Sequence, residues 1–179
     1  MMQDHQVVFC AAASAFAGIA AVWDVRTRRI PNLLCLTAFA VGILLHFGMD
    51  GWSGMLTSLA AGLIAGFVFF LFFLAGGMGG GDVKLIAAIA ALAGFAQLPY
   101  LLVFTALTGG VLAMMLILRR GALRSTLKNM GTLLGHHLRS GLKPHEELNV
   151  QNQSALRLPY GIAIAAGACI TLYLQGSRG

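Results

Sequence analysis

The stretch GMLTSLAAGLIAGFVFFLFFLAGGMGGGD, residues 54–82, decides how the rest of the chain is interpreted. Its first part, residues 54–75, contains no charged side chain and matches the roughly 20 apolar residues that cross a bilayer as a helix. A run of glycines then leads to Asp82, an ionisable residue that directly precedes more apolar sequence. The stretch therefore predicts a membrane helix followed by a carboxylate at membrane depth.

The same apolar character extends over all 179 residues. The chain is 58% apolar and 10% charged, with a mean hydropathy of +0.82, whereas a soluble domain carries roughly 25% charged residues. We therefore expect a single membrane-embedded domain over residues 1–179. The net charge of +6 does not indicate nucleic-acid binding, because the basic residues lie in short connections and form no basic face on a polar surface.

Six apolar segments predict an all-α, polytopic membrane protein with about six transmembrane helices. They are Val7–Trp23, Leu33–Met49, Gly54–Ala75, Val83–Phe95, Leu98–Leu118 and Leu158–Leu174. The first three connections are Asp24–Asn32, Asp50–Ser53 and Gly76–Asp82, and a brief turn at Ala96–Gln97 separates the fourth and fifth segments.

The basic residues test this division of the chain. Eleven of the 12 Lys and Arg residues lie in or at the edge of the first, third and fifth connections, and the remaining one is Arg178. Connections rich in Lys and Arg stay in the cytoplasm. We therefore predict a multi-pass protein of the inner (cytoplasmic) membrane, with both termini outside.

The long cytoplasmic connection, residues 119–157, contains a second apolar pattern. Five apolar residues recur there at three- and four-residue steps: Leu123, Leu127, Met130, Leu134 and Leu138. Basic residues lie between them. This spacing predicts an amphipathic helix at the membrane interface, with its basic side chains toward anionic headgroups. The helix either tethers the connection or forms a docking surface for a partner or substrate.

Two of the six acidic residues, Asp24 and Asp82, abut apolar segments on the predicted cytoplasmic side. The helices Val7–Asp24 and Asp82–Gln97 would measure roughly 27 and 24 Å at 1.5 Å per residue, less than the roughly 30 Å of hydrocarbon in a bilayer. Both carboxyl groups are then expected at one depth, inside the interface. An acid at that depth costs free energy unless it is paired, solvated or protonated, which makes it a candidate functional group.

Two facing carboxyl groups in a low dielectric hold one proton between them. Aspartic proteases use this state: one carboxylate polarises water while the protonated partner donates to the carbonyl oxygen. No metal or cofactor is required. The structural alternatives are that Asp24 is satisfied by Arg26 or Arg28, and that Asp82 caps a helix starting at Val83.

The glycines before Asp82 favour the catalytic interpretation. Glycine permits unusual dihedral angles and the close approach of another backbone, which would leave room for an extended peptide. A phosphate-binding loop is disfavoured, because Asp82 stands where that motif requires Lys.

Three motifs then resemble one family. Gly79-Gly80-Gly81-Asp82-Val83-Lys84-Leu85 is similar to the G-x-G-D-x-K-L signature of the type IV prepilin peptidases, a branch of the GxGD intramembrane aspartyl proteases. Asp24-Val-Arg-Thr-Arg-Arg-Ile30-Pro31-Asn32 resembles the first-aspartate motif of that family. Leu158-Pro159-Tyr160-Gly161-Ile162-Ala163 resembles the Pro-Tyr-Gly element of its short members.

This resemblance implies an aspartic endopeptidase that cleaves the leader peptides of type IV prepilins or pseudopilins at the cytoplasmic membrane face. The resemblance also implies that Asp24 and Asp82 are the catalytic pair. We assign Lys84 to topology or substrate contact. Further candidates for the active-site loop or substrate contact are Gly79, Gly81, Pro159, Tyr160 and Gly161. The expected partners are prepilin or pseudopilin leader segments and a lipid bilayer with anionic headgroups.

The chain departs from long members of the family. Those members carry a cysteine-rich cytoplasmic segment with paired C-x-x-C motifs and methylate the new N-terminus, whereas the three cysteines here form no such pair. The chain resembles the compact, peptidase-only form associated with Flp-type tight-adherence pili. Archaeal preflagellin peptidases are a near alternative.

Other functions remain open from the residues alone. Intramembrane acids also serve as relays in small proton- or ion-coupled transporters, and a membrane assembly subunit would need no catalysis. A metal site is disfavoured because the polar residues that could form it, His136, His137, His145, Glu146 and Glu147, lie in the long connection without a metal-binding spacing.

Overall fold

The computed structural model describes residues 2–75, 77–119, 121 and 160–177. Its helices are α1 (Met2–Thr27), α2 (Asn32–Leu74), α3 (Gly80–Ala93), α4 (Leu98–Arg119) and α5 (Tyr160–Gly176), with a 3₁₀ helix at Phe95–Gln97. No strand occurs in these ranges. Together with the long apolar helices, this architecture confirms the prediction of an all-α, polytopic membrane protein.

The helix α2 contains two of the predicted segments, folded back on each other at Gly51. This glycine has φ 66° and ψ −154°, a left-handed conformation that side chains disfavour. A Cβ atom built on Gly62 would lie 2.7 Å from the Phe39 ring, which requires residues 32–50 and 52–74 to lie side by side. The predicted turn at Asp50–Ser53 is therefore confirmed.

The helix α3 lies at the centre of the bundle. Its side chains Leu85, Ile86 and Ile89 are 0% exposed, and it packs most extensively against α2. Small residues allow this close approach: a Cβ atom on Gly42 would lie 2.8 Å from the Leu92 backbone nitrogen. On the other side of the bundle, α5 packs against both α1 and α4.

Three described stretches are long and apolar enough to cross a membrane: His5–Thr27, Asn32–Leu74 and Phe95–Arg119. The helices α3 and α5 are shorter and also apolar. Large apolar side chains such as Leu33, Phe67 and Val111 point away from the bundle and are more than half exposed, as lipid-facing residues are. The number of membrane crossings stays a prediction, and the predicted interfacial helix over residues 123–138 lies outside the described residues.

The bundle has two polar ends. The C-terminus of α1 and the N-termini of α3 and α5 meet at one of them, called here the aspartate end because it holds Asp24 and Asp82. The opposite end, called the turn end, contains the Gly51 turn and the 3₁₀ helix. Gln97 Nε2 donates there to Gln6 Oε1 and Gln175 Oε1, at 3.2 and 3.1 Å. The start of α1 and the end of α5 therefore lie on the same side, as the predicted topology requires.

Two of the predicted helices have different boundaries in the structure. The helix α1 begins at Met2 and ends at Thr27, so it includes Asp24 and is longer than the predicted Val7–Trp23. Its polar first turns stay helical because they pair at the turn end, where His5 Nδ1 lies 3.0 Å from Asp50 Oδ1. Helix length alone therefore does not set the depth of Asp24.

The second difference concerns the glycines before Asp82. The helix α3 begins at Gly80, earlier than the predicted Val83. Among the described glycines of this run, none has a positive φ, so the expected unusual dihedral angles do not occur. The glycines allow close packing instead, since a Cβ atom on Gly81 would lie 3.6 Å from Ile30 Cβ.

Candidate active site

The carboxyl group of Asp24 is held by the start of α5. Asp24 lies one turn before the end of α1 and is only 9% exposed. Its Oδ2 accepts a hydrogen bond from the Gly161 backbone N–H at 3.2 Å. That N–H is available because the first amides of a helix have no partner within the helix.

The residue at position 161 must be glycine for this contact to form. A Cβ atom there would lie 3.0 Å from Asp24 Oδ2 and 3.1 Å from Asp24 Cβ. Any side chain would therefore push against the carboxyl group that the amide holds. This contact gives the Pro-Tyr-Gly element a physical role, although Pro159 itself lies outside the described residues.

Asp82 is held by its own helix. It is the third residue of α3, and its Oδ2 accepts a hydrogen bond from the backbone N–H of Gly79, the residue before the helix, at 3.2 Å. This is the carboxylate half of a helix-capping arrangement. The structural alternative that Asp82 caps a helix is thus realised, with the helix starting at Gly80.

The fold brings the two aspartates together. The carboxyl groups of Asp24 and Asp82 are close enough to interact electrostatically, and Tyr160 also interacts with Asp82. Each carboxyl group lies at the N-terminus of a helix, Asp82 in α3 and Asp24 against α5, where the helix dipole stabilises negative charge. In both groups the Oδ1 atom accepts no hydrogen bond from the described residues, so it stays available to a water molecule or a substrate.

The other structural alternative, in which Arg26 or Arg28 satisfies Asp24, is not observed. Neither Arg26 nor Arg28 forms an ion pair with Asp24 within 4.0 Å in the described part of the chain, although Arg28 contributes a longer-range attraction. Arg28, which directly follows α1, has φ 53°. Asp24 therefore depends mainly on the Gly161 amide.

A second contact joins the first two motifs. Lys84 Nζ donates to Asn32 Oδ1 at 3.2 Å, and Gly81 packs against Ile30. The connection between α1 and α2 is therefore fastened to the first turns of α3. Since α1 carries Asp24 and α3 carries Asp82, these contacts help to set the distance between the two acids.

Sequence reasoning assigned no site role to Ile30, Asn32 or Cys35. Cys35 is buried and lies within electrostatic range of Asp82 and Lys84. Ile30 and Asn32 belong to the first-aspartate motif, so their presence in that motif was the available signal. Nothing in the sequence indicated Cys35.

The described residues contain no group of three or more His, Cys, Asp or Glu side chains arranged to hold a metal ion. The histidines and glutamates of the long connection lie outside the described residues. The polar groups that the structure brings together at the aspartate end are two carboxyl groups, one phenol and backbone amides.

The chain matches the type IV leader peptidase family over residues 11–114. It is also 33% identical over 106 residues to a prepilin leader peptidase/N-methyltransferase of Neisseria gonorrhoeae, a match that covers 55% of this chain and 36% of that protein. The chain thus spans well under half the length of this relative. No solved structure matches it significantly.

The family match includes Asp24, Asp82 and the contacts between α1, α2 and α3, and it ends before the Pro-Tyr-Gly element. Because it covers more than half of the residues, the chain belongs to the type IV leader peptidase family.

Proposed function

We propose that this chain is a prepilin leader peptidase, an aspartic endopeptidase that cleaves type IV prepilins or pseudopilins at the cytoplasmic membrane face, with Asp24 and Asp82 as its catalytic residues. The main support is that two acids from different helices interact at one end of an apolar bundle. One oxygen of each carboxyl group accepts a hydrogen bond from a glycine amide, and the second oxygen is available to bind water or substrate. Family membership favours this activity over ion transport.

The mechanism follows from one proton shared by two carboxyl groups. The ionised carboxylate takes a proton from water as the water oxygen bonds to the carbonyl carbon of the peptide. The protonated carboxyl group gives its proton to the carbonyl oxygen, which forms a tetrahedral diol. The diol then collapses: the C–N bond breaks, the nitrogen receives a proton, and the products are a leader carboxylate and a new amino terminus.

The two glycine amides position the acids for these transfers. A hydrogen bond to Oδ2 fixes the plane of each carboxylate before substrate arrives, so little reorganisation is needed during the reaction. The helix N-termini also limit the electrostatic cost of holding an ionised group in an apolar surrounding.

The location of the site in the membrane is part of the proposal. We infer an inner-membrane protein with the aspartate end at the cytoplasmic face, because the basic connections follow the helices that end there. The expected substrates are then leader segments that reach this face from the cytoplasm, and anionic headgroups would surround it. Both termini would lie outside.

The test is cleavage of candidate prepilins by the purified, membrane-reconstituted chain, read as a size shift and as the mass of the new N-terminus. Asp24→Asn and Asp82→Asn should each lower the rate by on the order of 10⁴-fold, since residues that act as one catalytic unit show losses of this size. Asp50→Asn is the matched control, because Asp50 lies at the turn end and pairs with His5. Wild-type cleavage by either Asp24→Asn or Asp82→Asn would disprove the assignment.

A further inference from the structure

Tyr160 is a third polar side chain at the aspartate end. It is the first residue of α5 and directly precedes Gly161, whose amide holds Asp24. Its ring packs beside α4, where a Cβ atom on Gly109 would lie 3.9 Å from Tyr160 Cε1. It also packs against the buried core of the bundle. The aromatic ring is therefore held against α4 and the core.

The hydroxyl group of Tyr160 is not used by this packing. It accepts or donates no hydrogen bond with any residue that the structure describes, although the side chain is half-buried and interacts electrostatically with Asp82. Among the described residues, Thr105 Oγ1 is the one fully buried side-chain polar atom without a partner, so the Tyr160 hydroxyl still reaches the surface of the bundle and is accessible to a ligand. The aspartate end thus contains one donor beyond those that hold the two carboxylates.

Packing alone does not explain a phenol at this position. Phenylalanine would fill the same space beside Gly109 and the core, so the packing of the ring does not require the hydroxyl group. A donor kept near two acids is useful when negative charge appears between them. In peptide hydrolysis, that charge develops on the oxygen of the attacked carbonyl group.

We propose that the Tyr160 hydroxyl donates a hydrogen bond to the carbonyl oxygen of the scissile peptide as the tetrahedral intermediate forms. This inference rests on the proposed function. Tyr160 keeps its own proton throughout: the water proton goes to the ionised aspartate, and the proton on the new diol comes from the other aspartate. The phenol therefore stabilises the transition state without entering the proton balance.

The experiment is steady-state cleavage by Tyr160→Phe in the full chain. We expect kcat to fall by on the order of 10²-fold, the usual loss when one such donor is removed, with KM changed by less than about twofold because the contact strengthens only in the transition state. The thermal midpoint should match the wild type. Tyr173→Phe is the control, since Tyr173 is on the same helix and 74% exposed.

A kcat within about threefold of the wild type would overturn the proposal. So would a raised KM with an unchanged kcat, because that pattern indicates a ground-state substrate contact. Both results would leave the catalytic assignment of Asp24 and Asp82 intact. A wild-type chain that cleaves no prepilin would instead overturn the proposed function, and this inference with it.

A second variant tests the hydroxyl itself. Replacing Tyr160 with 3,5-difluorotyrosine keeps the ring and the O–H group but makes the phenol more acidic. Since only the neutral phenol donates, activity should be lost on the alkaline side at a lower pH than in the wild type. If the alkaline limb of the pH–activity profile does not shift, the proposal is contradicted, even if Tyr160→Phe proves unstable.

Discussion

The two ends of the bundle use the same kinds of polar residue for different purposes. At the turn end, polar side chains pair with one another: Asp50 lies 3.0 Å from His5 and 3.8 Å from His46, and Gln97 donates to Gln6 and Gln175. At the aspartate end, Asp24 and Asp82 each receive one backbone N–H. Side chains thus tie helices together at one end, and backbone amides hold acids at the other.

This difference helps to distinguish a catalytic acid from a structural acid within a membrane protein. Depth in the membrane makes any carboxylate costly, but Asp50 offsets that cost by pairing and by its partial exposure to water. Asp24 and Asp82 have hydrogen bonds that orient them without using all of their acceptor sites. A carboxyl group that is held but incompletely satisfied is suited to catalysis, whereas one paired to neighbouring side chains is suited to structure.

The strongest test of this difference is Gly161→Ala at the aspartate end. The new Cβ atom would lie 3.0 Å from Asp24 Oδ2, so the carboxylate must move. A displacement of about 1 Å in a catalytic group costs roughly 10²-fold in rate, and we expect a loss of that size in prepilin cleavage, measured per folded protein because the new Cβ atom would also lie 3.3 Å from Ala21 Cα.

Gly176→Ala is the matched control for this substitution. Gly176 is on the same helix, and nothing lies within 4 Å of the Cβ atom it would gain. Cleavage by Gly161→Ala at the Gly176→Ala rate would mean that the amide contact does not position Asp24.

The second test is Gly42→Ala, which should affect stability. The new Cβ atom would lie 2.8 Å from the Leu92 nitrogen and 2.9 Å from the Ala91 carbonyl carbon. These are backbone atoms, which cannot relieve the contact by changing rotamer as a side chain can. Overpacking of this kind costs about 1–3 kcal/mol. The measurement is the free energy of unfolding in detergent.

Gly48→Ala controls for helix propensity in the same half of α2. Nothing lies within 4 Å of its Cβ position, and replacing glycine by alanine in a helix stabilises by about 0.5–1 kcal/mol. Opposite signs for Gly42→Ala and Gly48→Ala are expected. Equal effects would show that the α2–α3 approach is less tight than the structure describes.

The third test is Gln97→Leu at the turn end. Gln97 is 6% exposed and donates to two glutamines, so its loss removes two hydrogen bonds. We expect a stability decrease of about 1–3 kcal/mol, since each such bond contributes about 0.5–1.5 kcal/mol, with kcat unchanged. A fall in kcat larger than the fall in stability would mean that the two ends are coupled.

The smallest expected effect is that of Lys84→Met. Removing the hydrogen bond to Asn32 should lower cleavage by a few-fold, about 0.5–1.5 kcal/mol. Asn32→Leu should cause the same loss, and the double variant no more, because both remove one contact. A much larger loss for Lys84→Met, seen in KM, would identify Lys84 as a substrate contact.

Much of the fold followed from apolar length and charge. The apolar segments Leu33–Met49, Gly54–Ala75 and Leu98–Leu118 contain no charged residue, so their helical state follows from the need to satisfy the backbone in lipid. The boundaries of α1 and α3 were less predictable. Met2–Gln6 is polar, and Gly80 and Gly81 favour irregular backbone, yet both stretches are helical because of contacts with distant residues.

The candidate site was predictable to a similar degree. Asp24, Asp82 and Gly161 could be chosen from motifs and from the rarity of acids beside apolar sequence. The sequence by itself determined that two acids must be accommodated at the edge of an apolar bundle, because composition and spacing require it. Only the tertiary structure decided that the amides of Gly79 and Gly161 hold them, that Asn32 holds Lys84, and that the Tyr160 hydroxyl has no hydrogen-bond partner among the described residues. Those facts depend on contacts between residues distant in the chain, which helical periodicity does not encode.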